Sequence, residues 1–361
     1  MSEFIIYLMT AFAVIAAVDR ILGNRLGLGQ EFENGIMAIG TLALSMLGII
    51  SLAPVLAAVL RPVVVPVFRV LGADPGMFPG SILACDMGGA ALAMEMAESR
   101  EAGLFGGTVV GAMLGTAIVF TIPVSLGIIR REDRGYLAQG VLAGIITIPL
   151  GSFAGGLVAG FPVMMICRNL LPVVLFAILI ALGLWKAEKA MIKGFTVFGW
   201  FVTAVITVGL TAALVESLTG LVLIPGMAPL SEGYEVVGTI ALVLAGAFPL
   251  VYTVTKVFRK PLMKLGGLLG MNEVAAAGMV ATLANSIPMF GMLKDMDARG
   301  KVLNMAFAVS AAFVFGDHLG FTAGFAPEML VPMIVAKLIS GVSAVAVAML
   351  LVRSKKNGVS E

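Results

Sequence analysis

Two short, similar stretches interrupt otherwise apolar runs of this chain: LACDMGG at residues 83–89 and LANSIP at residues 283–288. The first lies inside the apolar segment 78–97, and the second inside the apolar segment 272–293. Both carry polar or helix-breaking residues where a membrane-spanning helix would be continuous. Irregular backbone at membrane depth is tolerated only where it is buried in protein or lines a water-filled cavity. The two interruptions are therefore the first candidates for a functional site.

The composition around these stretches is that of a membrane protein. Of 361 residues, 60% are hydrophobic and 12% are charged, and the mean hydropathy is +1.08. A soluble domain carries about 25% charged residues, so an ordinary globular enzyme is excluded. The net charge of +2 gives no reason to expect nucleic-acid binding. Two cysteines in apolar stretches exclude a disulfide scaffold.

Nine further apolar runs are long enough to cross a bilayer, which takes about 17–25 residues. They lie at about 4–22, 35–60, 103–129, 136–160, 168–185, 193–223, 234–257, 301–324 and 327–352. No basic residue precedes the first run, so we interpret it as a retained helix and not as a cleaved signal peptide. The sequence predicts an all-α polytopic membrane protein with a single membrane domain over residues 1–361.

An internal repeat relates the two halves of the chain, at approximately 1–160 and 193–352. Short motifs recur in the same order at an offset of 195 to 200 residues: Arg61-Pro62 as Lys260-Pro261, Leu71-Gly72-Ala73-Asp74 as Leu269-Gly270-Met271-Asn272, Leu83-Ala84 as Leu283-Ala284, and Val119-Phe120 as Val314-Phe315. Biased composition produces scattered Leu and Ala matches easily, but an ordered series that includes charged and proline positions less easily.

Basic residues indicate the orientation, because cytoplasmic loops are enriched in Lys and Arg. The segment 272–293 has Lys260 and Lys264 before it and Lys294 and Lys301 after it. A segment whose two ends lie on one side has not crossed the membrane, so we interpret this one as a re-entrant hairpin of two half-helices.

The repeat then predicts a second hairpin at 78–97, which enters from the opposite face. The result is an inverted-repeat transporter with about nine spanning helices and two re-entrant helical hairpins. An alternative with eleven spans places Arg61 and Arg69 inside, but it places Lys294 and Lys301 outside.

The substrate site is predicted where the interruptions meet, since half-helix ends offer unpaired N–H and C=O groups and direct their dipoles at the ligand. A charge in a membrane segment costs about 2.5–3.5 kcal/mol even on lenient scales. This cost draws attention to Asp86 in the first interruption. It also draws attention to Asp317 and His318, the only histidine, in the span 301–324.

Three further residues belong to the predicted site by their position. Asn285 and Ser286 lie in the second interruption, where such residues either cap the half-helices or contact the substrate. Met87 follows Asp86 directly.

Motifs typical of ATP-driven transporters, zinc proteins and serine hydrolases are missing from the sequence. It contains no Walker motif, no Cys/His spacing that suits zinc and no nucleophile elbow. We therefore expect no cofactor, no metal and no enzymatic activity. An alternative from another class is an intramembrane aspartic hydrolase that uses Asp86 and Asp317 as a pair of carboxylates sharing a proton.

Several stretches resemble one known family over nearly the whole chain. The most specific are Ala17–Leu22, Leu83–Gly89, Tyr136–Gly151, Ala275–Gly291 and Ala306–Phe321. With these stretches the chain resembles the ethanolamine-utilization permeases of the EutH type.

The resemblance implies uptake of ethanolamine across the bacterial cytoplasmic (inner) membrane, by facilitated or ion-coupled transport. The implied partners are ethanolamine and the lipid bilayer, and a homo-oligomer is compatible with the sequence. A secondary transporter of another small solute with a similar layout is the alternative that the residues alone leave open.

Overall fold

The structure is a computed structural model that describes residues 2–357, and over these residues it is helical, without a β-strand. The helices are α1 (Ser2–Ile21), α2 (Leu28–Val70), α3 (Met77–Ile82), α4 (Gly89–Met96), α5 (Arg100–Leu104), α6 (Ile122–Ile128), α7 (Arg134–Val158), α8 (Val163–Thr219), α9 (Leu230–Leu268), α10 (Glu273–Ala284), α11 (Ser286–Met292), α12 (Ala298–Ala311), α13 (Asp317–Phe325) and α14 (Leu330–Asn357). Between α5 and α6 the chain continues in π-helical geometry over Phe105–Gly115 and Ala117–Thr121.

Among the residues that the structure describes, seven helical segments are long and apolar enough to cross a membrane: Glu3–Ile21, Leu28–Val70, Arg100–Ile128, Arg131–Val158, Val163–Thr219, Leu230–Val257 and Pro327–Val352. Large apolar side chains, among them Trp185 and Trp200, cover much of the outer surface of the bundle. The chain is therefore a multi-pass membrane protein, as its composition predicts.

Helix α8 is much longer than one crossing. Its 57 residues would measure about 85 Å at 1.5 Å per residue, against a hydrocarbon core of about 30 Å. The helix is broken at Ala187, whose backbone has φ −141° and ψ 45°. The break divides α8 into two parts, which correspond to the separate runs 168–185 and 193–223 in the sequence.

The run 301–324 is not the continuous span that its apolar sequence predicts. Helix α12 ends at Ala311, and α13 begins only at Asp317. In between, the backbone N–H groups of Phe313 and Phe315 donate to carbonyl oxygens at the end of α10, with N···O distances of 3.1 and 2.9 Å. The expectation of one continuous helix is corrected here. Its cause is pairing with a distant part of the chain, which an apolar run does not reveal.

Small residues allow the long helices to pack closely, as is usual for helices in membranes. Helix α7 lies against both α14 and α12, and α2 lies against α9 and α8. A Cβ added at Gly151 of α7 would overlap Ser340 of α14, and one added at Gly48 of α2 would overlap the backbone of α8 at Ile206. These contacts hold the long helices as a frame around the short ones.

The segments α3–α4 and α10–α11 each fold back on themselves, so that the residues before the first helix lie next to the residues after the second. The Asp74 carboxylate, before α3, accepts a hydrogen bond from the backbone N–H of Ser99, after α4 (3.0 Å). Likewise, the backbone N–H of Asn272, before α10, donates to the Asp297 carboxylate, after α11 (2.9 Å). The interruptions at 83–89 and 283–288 therefore lie at the far ends of two folded-back segments.

Candidate functional site

Both interruptions open onto one cavity of about 600 Å³. Five of the six residues predicted for the site line it: Asp86, Met87, Asn285, Asp317 and His318. Ser286 does not line it; its side chain is fully buried, and its hydroxyl has no hydrogen-bond partner among the described residues. A second cavity, of about 710 Å³, is lined almost entirely by aliphatic and aromatic side chains and offers no charged group to a ligand.

The first interruption places Asp86 on a single turn between α3 and α4. Cys85–Met87 form one turn of 3-10 helix, and the turn ends at Gly88, whose φ is +85°. A side chain is strained at such a φ, and a Cβ at Gly88 would also overlap Ile49 of α2. Glycine is thus required here, and it allows the chain to reverse and leave the Asp86 side chain facing the cavity.

The second interruption consists of one extended residue. Asn285 has φ −154° and ψ 131°, and its side-chain oxygen accepts a hydrogen bond from the backbone N–H of Ile287 (2.8 Å), which caps α11. The amide NH₂ remains available to the cavity. Because Asn285 is extended, Asn285 and Ser286 point in different directions, and Ser286 faces the packed interior.

The third wall of the cavity begins at the break between α12 and α13. Asp317 is the first residue of α13, so its carboxylate lies at the positive end of the helix dipole. Gly316 before it leaves no room for a side chain, since a Cβ there would overlap the carbonyl group of Ala284. The cavity therefore receives two carboxylates, one from α13 and one from the first interruption.

His318 connects the cavity to a buried lysine that the sequence analysis missed. The Nε2 atom of His318 lies 3.9 Å from Asp86 Oδ1 and 3.5 Å from the hydroxyl of Thr116. Its Nδ1 atom lies 3.0 Å from Nζ of Lys337 in α14, and Lys337 Nζ also donates to the carbonyl oxygen of Ala112. Lys337 was recognisable as a single charge in the middle of an apolar run, by the same argument that identified Asp86.

A polar stripe on α2 also escaped the sequence analysis. Asn34, Thr41 and Ser45 lie on one face of the helix and line the cavity. The hydroxyl groups of Thr41 and Ser45 donate to carbonyl oxygens of their own helix, so their lone pairs remain available to a ligand that donates hydrogen bonds. The spacing of three polar residues along an apolar helix was the available signal.

One group of metal-ligand type occurs in this region. Cys85, Asp86 and His318 each offer an atom, and these atoms lie within 4.8 Å of one another. A lysine ammonium can only donate, so His318 Nδ1 accepts from Lys337, and Nε2 then carries the hydrogen. In that state His318 has no lone pair for a metal, and the neighbouring ammonium repels a second cation. The group does not fit a metal site.

Membrane-length helices that surround a polar cavity, with helix interruptions in its walls, define a membrane transporter. The interruptions supply free backbone groups and the two carboxylates supply charge, which together suit a small polar cation.

The chain belongs to the EutH family, because residues 1–351 match the family described as "Ethanolamine utilisation protein, EutH". It is 63% identical over 362 residues to the probable ethanolamine permease EutH of Listeria monocytogenes (serotype 1/2a, strain 10403S), an alignment that covers 100% of this chain and 97% of that protein. It is 52% identical to the probable ethanolamine permeases EutH of Escherichia coli (strain K12) and Salmonella typhimurium (strain LT2), over 97% of this chain and 95% of each relative. No solved structure matches the chain.

These comparisons confirm the family that the sequence motifs predicted. They also confirm that the chain is a membrane transporter and not an enzyme. The alternative of an intramembrane aspartic hydrolase is therefore set aside.

Proposed function

We propose that this protein carries ethanolamine, as its protonated amine, across the bacterial cytoplasmic membrane. The observation that carries the proposal is that Asp86 and Asp317 line one polar cavity in a chain whose relatives are named probable ethanolamine permeases. A protonated amine does not cross lipid unaided, because an unpaired charge is costly to desolvate. The carboxylates replace the water that the cation loses.

The two ends of ethanolamine find different partners in this cavity. The ammonium group is placed at Asp86 or Asp317. The hydroxyl group of the ligand is placed at Asn285 or His318, whose side chains both line the cavity. Met87 supplies an apolar contact for the two methylene groups. Ser286 stays a prediction without support from this geometry.

The two folded-back segments support the interpretation of 78–97 and 272–293 as re-entrant hairpins, since the two ends of each segment are hydrogen-bonded to each other. Two ion pairs favour nine spans over eleven. Lys301 pairs with Asp133 and Arg100 pairs with Glu328, each at 2.5 Å. The nine-span topology places both members of each pair on one side of the membrane, whereas the eleven-span alternative separates them.

The proposed inverted repeats, at approximately 1–160 and 193–352, are supported by matching local geometry. Gly72 and Gly270 both have a positive φ, +68° and +70°. Ser99 and Asp297 both cap the helix that follows them. The members of each pair are 198 positions apart (270 − 72 and 297 − 99). Equal offsets for two unrelated structural features are expected if the halves share one fold.

Uptake into liposomes that contain the purified protein tests the proposal. We expect Asp86→Asn or Asp317→Asn to lower the uptake of radiolabelled ethanolamine by about tenfold or more, as removal of a charged hydrogen-bond partner usually does. Glu95→Gln is the matched control, because Glu95 is an exposed acid outside the cavity. Wild-type uptake in both aspartate variants would remove the site. If another small amine competes more strongly than unlabelled ethanolamine, that amine and not ethanolamine is the preferred substrate.

A further inference from the structure

Lys337 is a buried cation that the proposed contacts with ethanolamine leave unused. Its side chain is 1% exposed, although it lies in the middle of a membrane-length helix. None of the described carboxylates forms a salt bridge with it. Its partners are the carbonyl oxygen of Ala112 and the ring of His318. Ionisable groups at such a depth are rare and commonly belong to ion pathways or proton relays.

The surroundings of Lys337 connect it to the cavity along one path. His318 stands between them, with Nδ1 at 3.0 Å from Lys337 Nζ and Nε2 at 3.9 Å from Asp86 Oδ1. The other titratable groups nearby are the thiol of Cys85, in the first interruption, and the carboxyl of Asp317, on α13. The π-helical segment contributes only neutral groups, the Ala112 carbonyl and the Thr116 hydroxyl.

We propose that Lys337 holds a proton that the site releases when an amine cation binds at Asp86, so that the transporter exchanges protons for its cationic substrate. This inference rests on the proposed function, because it assigns the coupled ion for the same cavity. Without substrate, the Lys337 ammonium compensates the Asp86 carboxylate. With substrate bound, the amine cation repels the Lys337 ammonium, so the proton on Lys337 is released more easily than in the empty site.

The proton leaves through the histidine ring. An N–H bond of Lys337 breaks as an N–H bond forms at His318 Nδ1, while the hydrogen on Nε2 passes to water in the cavity. Lysine becomes a neutral amine, histidine changes tautomer without changing charge, and water carries the proton away. When the substrate has left, the reverse transfer reloads Lys337. No other reactant is needed.

The expected coupling follows from the distances. Lys337 Nζ lies 3.0 Å from His318 Nδ1, and His318 Nε2 lies 3.9 Å from Asp86 Oδ1. With the width of the imidazole ring included, a cation bound at Asp86 is about 10 Å from the Lys337 ammonium. At an effective dielectric constant of about 20, two unit charges at this separation weaken each other's binding by about 15-fold. Linkage is reciprocal, so the affinity for ethanolamine changes by the same factor between acidic and alkaline pH. At the pH of strongest coupling, about 0.6 proton is released per ethanolamine bound.

Calorimetric titration of the purified full-length protein with ethanolamine measures this release directly. The titration is repeated in buffers that differ in ionisation enthalpy, none of them a primary amine, and over a series of pH values. We expect the wild type to release protons and to bind more tightly as the pH rises through the range in which Lys337 loses its proton. We expect Lys337→Met to bind without proton release and with an affinity that is constant over that range. Lys294→Met, at an exposed lysine, is the control and should behave as the wild type.

The outcomes separate this inference from the proposed function. Binding by the wild type without proton release at any pH overturns the inference and leaves ethanolamine as the substrate. Wild-type release in Lys337→Met also overturns it, since another group would then hold the proton. If Lys337→Met does not fold, Lys337→Gln keeps the polar contacts and receives the same test. A wild type that binds no ethanolamine removes the proposed function, and the inference falls with it.

Discussion

The ion pair between Asp133 and Lys301 allows a quantitative test of how the second folded-back segment is anchored. The Asp133 side chain is 3% exposed and the Lys301 side chain 14%, and their charged atoms are 2.5 Å apart. The pair joins the start of α7 to the start of α12, directly after the proposed hairpin 272–293. Lys301 also lies over the ring of Tyr136, with Nζ 5.4 Å from the ring centroid.

Asp133→Asn leaves a nearly buried ammonium without its counter-ion. Breaking a buried ion pair from one side costs about 3–5 kcal/mol, and the existing contact with Tyr136 already compensates part of the Lys301 charge, by about 1 kcal/mol or more at a nearly buried site. We therefore expect a net loss of about 2–4 kcal/mol in the free energy of unfolding. The double variant Asp133→Asn/Lys301→Met removes both charges and should recover most of it, because replacing a whole buried pair by uncharged groups is often neutral.

Thermal unfolding in detergent, followed by tryptophan fluorescence, measures the effect. The midpoint should fall by several degrees in Asp133→Asn and rise again in the double variant. Glu132→Gln is the matched control, since Glu132 is the exposed neighbour of Asp133. Equal midpoints for Asp133→Asn and Glu132→Gln would refute the reasoning, because Asp133 and Lys301 would then not form a stabilising ion pair in the folded protein. A double variant less stable than the single one would refute it as well.

Two further predictions concern the turn at Asp86 and the topology. Gly88→Ala forces a positive φ on a residue with a side chain, which costs about 1–2 kcal/mol, and overpacks the contact with α2, which costs about 1–3 kcal/mol. We therefore expect a lower unfolding midpoint and lower ethanolamine uptake. Unchanged values of both would contradict the geometry of the turn. In a Cys167→Ser background, which removes the exposed native thiol, Glu101→Cys should react with a membrane-impermeant thiol reagent only from outside, and Ala298→Cys only from the cytoplasm. Labelling of both positions from one side would contradict the nine-span topology. The Cys167→Ser variant without an introduced cysteine is the control.

The interruptions of the first and second folded-back segments could be predicted from sequence, because their causes are local. Asp86 and Gly88 are unfavourable inside a membrane helix whatever surrounds them, and so is Asn285. The break between α12 and α13 is marked only at its end, where Gly316 is followed by the charged Asp317. Its residues 312–316 are apolar except for a final glycine, and their backbone is held open by hydrogen bonds to α10. Only the tertiary structure provides those partners.

The charged residues of the site could be predicted from the sequence, whereas the directions in which the side chains point could be predicted less well. Depth in the membrane identified Asp86, Asp317 and His318, and the same cost applies to Lys337, which is not among the predicted residues. Ser286 shows the limit of position in the sequence. It follows a cavity residue directly, but the extended conformation of its neighbour turns it into the packed interior.

The hydrogen bonds from residues 313 and 315 to the end of α10 have a mechanical consequence. They fasten the tip of one folded-back segment to the start of α13, the helix that bears Asp317 and His318. Displacing that tip by itself would break two backbone hydrogen bonds, and a buried backbone group that is left without a partner costs about 1–3 kcal/mol. A rearrangement that keeps these two hydrogen bonds would therefore move the end of α10 and the start of α13 together.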